Sequence, residues 1–216
     1  MKSKSISDQL IAKSLAELSA PEKPKARSRV WKDPKGYQYL GVWQNAALLR
    51  VLVRKFTLIL PLWEKRLKAQ MDDSARSQKR NLEEGWKRPT TSEYLQFLGY
   101  AQASLEEVKG DVRDAKTDDF LKSVPGSSLL SIGVDLRVTK GPSQVKGEPT
   151  EPGHPYYQPL ATLKGETLTY EIFMELINKT DYLLRKLVES LEKKLSQDNK
   201  YYKVEQARIR DKFRKK

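Results

Sequence analysis

The chain reads as an all-α protein: an antiparallel up-down-up-down four-helix bundle with a long loop between its third and fourth helices and basic extensions at both ends. Three observations predict this. Tyr94, Leu98, Ala101, Leu105, Val108 and Val112 follow a 4-3-4-3-4 spacing, the apolar seam of a helix packed against other helices. Similar stripes recur before and after that seam. Helix punctuation falls between them, at Pro61, at Gly85 and at Thr90-Thr91-Ser92-Glu93, a capping-box pattern.

Taken in order, residues 1–35 form a basic arm. Ile6, Leu10, Ile11, Leu15 and Leu18 predict a short amphipathic helix over 5–19. Pro21, Pro24 and Pro34 mark the stretch that follows as a linker. The bundle is expected over 36–195. Its first helix runs from about 36 to 60 on Val42, Ala46, Leu49, Val53, Phe56 and Leu60, and Pro61 ends it. The second runs from about 62 to 84 on Leu67, Met71, Ala75, Gln78 and Leu82. Gly85 is expected to stop it in a left-handed conformation.

The third helix opens on the capping box. Over 121–165 the periodicity dissolves under six prolines and six glycines, predicting a long irregular insertion that serves as a binding arm or stays disordered. Alternation over 131–138 suggests a short strand there. The fourth helix begins near 166, with Ile172, Leu176, Thr180, Leu183, Leu187 and Leu191 on its buried face. Residues 196–216 form a basic extension.

Charge narrows the partner class. Forty-one Lys and Arg oppose 28 acidic residues, a net charge of +13. Residues 1–35 hold nine basic and four acidic groups, and residues 200–216 hold eight and two, so the middle of the chain is nearly balanced. Such an excess favours a polyanion, RNA above all. With no cysteine, disulfides and thiolate metal sites are excluded. The N-terminal residues lack a secretory apolar run, and no apolar cluster is long enough to span a bilayer, so a cytoplasmic protein without membrane contact is expected.

Enzyme chemistry finds little support, and neither a cofactor nor a metal is expected. The one histidine, His154, sits in the long loop, where surface exposure is its ordinary fate. Glu83-Glu84 and Glu106-Glu107 are adjacent on helices and point apart. A hydrolase or nuclease is therefore disfavoured. The nucleic-acid candidates are Arg76, Lys79, Arg80, Lys87 and Arg88 near the end of the second helix, with Trp86 as a base-stacking group. Arg208, Arg210, Lys212, Arg214, Lys215 and Lys216 at the C-terminus join them. Against this stand ordinary helix ion pairs, Arg76 with Asp72 or Asp73 and Arg80 with Glu84.

Three motifs carry a family resemblance: GYQYL…W from Gly36, QM..SARS.K.N..EG from Gln70 to Gly85, and TSE…ASLEE…D from Thr91 to Asp111. They resemble the bacterial four-helix-bundle family of ribosomal RNA intervening-sequence proteins, which includes the accessory proteins of diversity-generating retroelements. The branch with a suffix domain is the nearest. The resemblance covers about 36–120 and, more loosely, 166–195. Asn81, Glu84, Gly85, Ser104 and Glu107 sit at the family's recurrent positions, and the resemblance gives them structural roles. Glu84 and Gly85 fix a helix end, while Ala101 and Ser104 allow close helix approach. Departures are Glu83, where a small residue is usual, and Asp72-Asp73, where an apolar or neutral pair is common.

The resemblance implies a non-enzymatic RNA-binding homo-oligomer, typically a pentamer, that in a retroelement serves a reverse transcriptase. The rival is a protein-interaction adaptor without nucleic-acid binding.

Overall fold

The computed structural model describes residues 33–137 and 146–214, with side chains through residue 197. The predicted helix at 5–19, most of the 1–35 arm, and Lys215 and Lys216 lie outside these residues. Among the described residues the protein is all-α. After a 3-10 turn at Gly36–Tyr39 come α1 (Gly41–Thr57), α2 (Lys65–Trp86) and α3 (Thr91–Thr117). Two further 3-10 turns, Leu129–Ile132 and Gly165–Thr167, flank the short α4 (Tyr157–Thr162). The last helix, α5, runs from Tyr170 to Arg214. The four long helices pack in a closed cycle: α1 touches α2 and α5, and α3 touches the same two.

Helix α1 is the axis of the fold. Its sequence is apolar on nearly all sides, and Val42 through Leu49, Leu52, Val53 and Phe56 are all buried. A helix so widely apolar must be covered over most of its surface, and only the side of Arg50 and Arg54 is left exposed. The covering differs from the expected free loop. Leu129, Val134, Leu136, Tyr156, Leu160 and Leu168 all enter the main core, beside Leu48, Phe56 and Phe173. No strand forms over 131–137. A lone apolar alternation has no partner to complete its ladder, so the backbone turns at Gly133 (φ 75°) and buries Val134 and Leu136 instead. Leu129 N donates to Glu175 Oε2 at 2.7 Å, and Tyr156 Oη donates to the Asp135 carbonyl at 2.9 Å.

His154 is likewise buried rather than exposed. Its Nδ1 accepts from Tyr156 N at 3.1 Å, which leaves Nε2 as the protonated nitrogen, 3.3 Å from Gln44 Oε1 on α1. Gly165 lies against α1 so closely that a Cβ there would stand 2.5 Å from the Lys55 carbonyl.

The seam of α3 is as its spacing predicts: Tyr94, Leu98, Ala101, Leu105, Val108 and Val112 are at most 1 % exposed. Thr90 Oγ1 accepts from Glu93 N at 3.1 Å, and Glu93 Oε2 accepts from Thr90 N at 3.2 Å, closing the capping box. Two apolar clusters form. One joins Leu48–Phe56, Met71, Ala75, Leu105–Ala115 and Ile172–Ile177; the other joins Tyr37–Ala47, Leu82, Tyr94–Ala101 and Leu184. Between them in register, α2, α3 and α5 contribute Gln78, Ser104 and Thr180, all buried.

The termini of two helices correct the expectation. Helix α1 ends at Thr57, three residues before Leu60, and the turn through Pro61 delays α2 to Lys65. Gly85 does not stop α2. It lies inside the helix without a positive φ, and α2 runs on to Trp86. Its smallness serves contact: a Cβ at Gly85 would meet Tyr94 Cδ2 at 2.7 Å and Phe97 Cβ at 2.8 Å on α3. By contrast, nothing lies within 4 Å of a Cβ built at Gly110. The two glycines should therefore respond oppositely to alanine. Gly85→Ala should cost about 1–3 kcal/mol through overpacking, whereas Gly110→Ala should gain about 0.5–1 kcal/mol from helix propensity. Urea midpoints of the two variants check this, and equal shifts of one sign would contradict the packing described.

Candidate nucleic-acid interface

Helix α2 turns Met71, Ala75, Gln78 and Leu82 inward, which fixes what its other face shows. Arg66, Ala69, Asp73, Arg76, Arg80, Glu84 and Lys87 are all exposed and recur at steps of three and four, one stripe along the outer side of the helix. From Arg66 to Lys87 it extends about 30 Å at 1.5 Å per residue. Asp73 is committed to Arg76 at 2.6 Å, as the ordinary ion-pair reading expects. Arg80 forms no ion pair with Glu84 or any other carboxylate among the described residues. Beside the stripe, Arg50 and Arg54 of α1 face Asp72, Asp73 and Arg76 across a cleft of about 270 Å³. Arg54 pairs with Asp72 at 2.6 Å, and Thr57 Oγ1 donates to the same carboxylate at 2.9 Å. Three guanidiniums thus share two carboxylates.

Lys79 leaves the set of phosphate candidates. It sits one position round the helix from Arg80, and its side chain is only 13 % exposed. Glu83 and Glu148 hold its ammonium at 2.9 and 2.5 Å, and it stands 5.3 Å from the Trp43 ring centroid. Burial alone would lower its pKa, but the bonds to Glu148 and Glu83 outweigh burial and raise it. Glu83 also accepts from Trp43 Nε1 at 3.0 Å. The departure from the family pattern at Glu83 is therefore matched by its own cation and donor.

Trp86 is not free to stack on a base. Its Nε1 donates to the Asp33 carbonyl at 3.1 Å, and its ring meets Tyr94 edge-on with centroids 6.3 Å apart. Lys87 and Arg88 are exposed where α2 ends, with the Arg88 guanidinium 4.3 Å from the Phe97 ring centroid.

The recurrent-position residues divide by environment. Ser104 is buried at the helix contact, Gly85 packs on α3, and Glu107 accepts from Ser74 Oγ at 2.8 Å across α2 and α3. Asn81 is half-buried and Glu84 exposed. Arg208, Arg210, Lys212 and Arg214 lie on the last turns of α5, so the helix that packs in the core also carries the C-terminal cations.

Arg50, Arg66 and Trp63 escaped the sequence reading of the site. The 66/69/73/76/80/84/87 spacing was available for Arg66. Arg50 was hidden because only the fold shows which side of an apolar helix stays open.

One acidic group is out of balance. Asp111 is buried on α3, with Oδ1 accepting from Gln70 Nε2 at 2.9 Å and Oδ2 without a hydrogen-bond partner among the described residues. Burial, then the charges of Asp114 and Glu107, push its pKa up to about 6. Burial also lowers the His154 pKa, against a smaller upward pull from Glu151.

Residues 38–132, spanning α1 to α3, match the family model described as 23S rRNA-intervening sequence protein. No curated protein and no solved structure matches the chain. No helix among the described residues is long and apolar enough to cross a membrane.

Two measurements check these environments. Lys79→Met should cost about 1–3 kcal/mol, because Glu83 and Glu148 lose their cation in a half-buried site, whereas Arg80→Gln should stay within about 0.5 kcal/mol. A Lys79→Met protein as stable as its parent would return Lys79 to the candidate surface. For Asp111 the folded pKa exceeds the unfolded one, so the parent loses stability as pH rises from about 4 through 6. Asp111→Asn should be more stable than the parent by about 1–2 kcal/mol at pH 8, with the advantage gone below pH 4. His154 has the opposite sign: its neutral form supports the fold above about pH 6.5, and that support declines as pH falls.

Proposed function

We propose that this protein is a non-enzymatic, RNA-binding oligomeric scaffold. The observation that carries it is the outer stripe of α2 together with Arg50. There, arginines and a lysine are displayed on a rigid helix and outnumber the carboxylates beside them. Lys and Arg on such a track neutralise successive phosphates and release counterions. The matched family's name sets its members in the context of a ribosomal RNA intervening sequence, which supports RNA over other polyanions.

Further features of the proposal follow from the family resemblance. The four long helices form an antiparallel up-down-up-down bundle, and the chain assembles as a homo-oligomer, a pentamer by that resemblance. A suffix-type chain of this kind serves a reverse transcriptase of a diversity-generating retroelement. The C-terminal cations of α5 add a second contact.

Fluorescence anisotropy with RNA across a salt series tests the binding. The combined variant Arg50→Gln, Arg76→Gln, Arg80→Gln, Lys87→Gln should flatten the dependence of log affinity on log salt. On single strands the slope should fall by up to about 0.7 for each phosphate that is no longer neutralised. The melting temperature of the variant should barely move, since exposed ion pairs contribute little. Deleting 206–216 should flatten the slope further. Unchanged affinity and slope in both variants would overturn RNA binding and favour an adaptor. Light scattering tests assembly: a mass several times the 24.9 kDa of one chain is expected, and a strict monomer would overturn the scaffold.

A further inference from the structure

Among the described residues, the most exposed large apolar side chains are adjacent. Leu62 is 88 % and Trp63 77 % exposed, on the turn that joins α1 to α2. The turn is closed by Glu64 N donating to the Pro61 carbonyl at 3.0 Å, so the backbone that carries Trp63 is itself bonded. Trp43, by comparison, is fully buried, and Trp86 is bonded to Asp33. Trp63 precedes Arg66 by three residues. It lies on the turn that leads into α2, at the end of the helix from which Arg66, Arg76, Arg80 and Lys87 extend.

We propose that Trp63 is a base-stacking platform and that the ligand of the α2 track is a single-stranded nucleic acid. The inference rests on the polyanion reading of α2 and narrows it. Cations alone bind phosphates of any form, duplex or single-stranded. An exposed indole at the end of the helix that carries them adds what only unpaired bases can use, a flat apolar face. Leu62 beside it supplies apolar surface for the edge of the stacked base.

Charge placement favours a strand over a lipid surface. A bilayer meeting the turn end-on reaches Lys65 and Arg66, but α2 runs away from that turn. Arg76 and Lys87 then lie about 15 and 30 Å further along the axis, beyond the roughly 8 Å screening length at physiological salt. A strand laid along the helix engages all four.

The test uses the full chain with a labelled 20-nucleotide oligouridine, a blunt RNA duplex of the same length, and vesicles of phosphatidylcholine with about a third phosphatidylserine. Trp63→Ala should weaken oligouridine binding by about tenfold with the salt slope unchanged, and Trp63→Phe should retain most of the affinity. Duplex binding should change little. Because Trp63 is so exposed, both variants should melt within about 2 °C of the parent.

If Trp63→Ala binds oligouridine as the parent does while the four-cation variant loses slope, the stacking inference is overturned and the polyanion reading stands. If neither variant changes binding, both fall. Loss of vesicle binding in Trp63→Ala with oligouridine binding intact would overturn the inference in favour of a lipid surface. An equal loss on duplex and single strand would overturn the preference for unpaired bases.

Discussion

The burial of α1 on all sides but that of Arg50 and Arg54 is the constraint on which the rest of the structure depends. A helix with Val42, Trp43, Ala46, Leu48, Leu49, Leu52, Val53 and Phe56 spread around most of its circumference cannot leave these positions to water without forfeiting a large share of the apolar burial that drives folding. Two long helices, α2 and α5, cover part of it. The remainder must come from the chain between α3 and α5. That is why a stretch dense in proline and glycine is nevertheless packed. Its side chains close the core while its backbone turns on itself. Lys55 Nζ on the Leu163 carbonyl at 2.9 Å and Gln44 beside His154 are the polar stitches of that cover.

The same constraint sorts the charges. With most of α1 covered, α2 has one face on the core, one shoulder beside Glu148, and one open side. Lys79 falls on the shoulder and is consumed by Glu83 and Glu148. Arg80, one residue later and about 100° further round, falls on the open side and keeps its charge for solvent. A net charge of +13 therefore overstates what any one surface offers. What matters is which cations lack a carboxylate within reach, and only the packing decides that.

Much of the fold was legible because helix seams are local patterns. The α3 seam and its capping box follow from spacing and residue type alone, and the buried face of α5 was read correctly at Ile172, Leu176 and Thr180. What was missed depends on distant partners. Gly85 has the composition of a helix stop, yet its role is set by Tyr94 and Phe97, which approach from α3. The alternation at 131–138 resembles a strand, but a strand exists only with a partner. His154 looked superficial because nothing near it in sequence announces Gln44, 110 residues away. For the site, the basic character of α2 was legible, but the division between Lys79 and Arg80 and the exposure of Trp63 were not. The first needs Glu148 in place. The second needs α1 to end at Thr57 so that Pro61 to Glu64 forms a turn instead of a helix.

Stability and the proposed binding are consequently assigned to different sides of one helix. Inward, α2 contributes Met71, Ala75 and Leu82 to the two apolar clusters and Gln78 to the polar level between them. Among the described residues, neither amide atom of Gln78 has a hydrogen-bond partner. A buried amide in that state costs about 1–3 kcal/mol, so this level of the core is a soft point, and the apolar clusters above and below must hold the helices in register across it. Outward, α2 carries charges whose mutual pairing is worth little in water. Substitutions on the outer stripe therefore leave the fold intact, so the proposed polyanion contact can be varied separately from stability. Substitutions on the inner face loosen the fold before they reach any ligand.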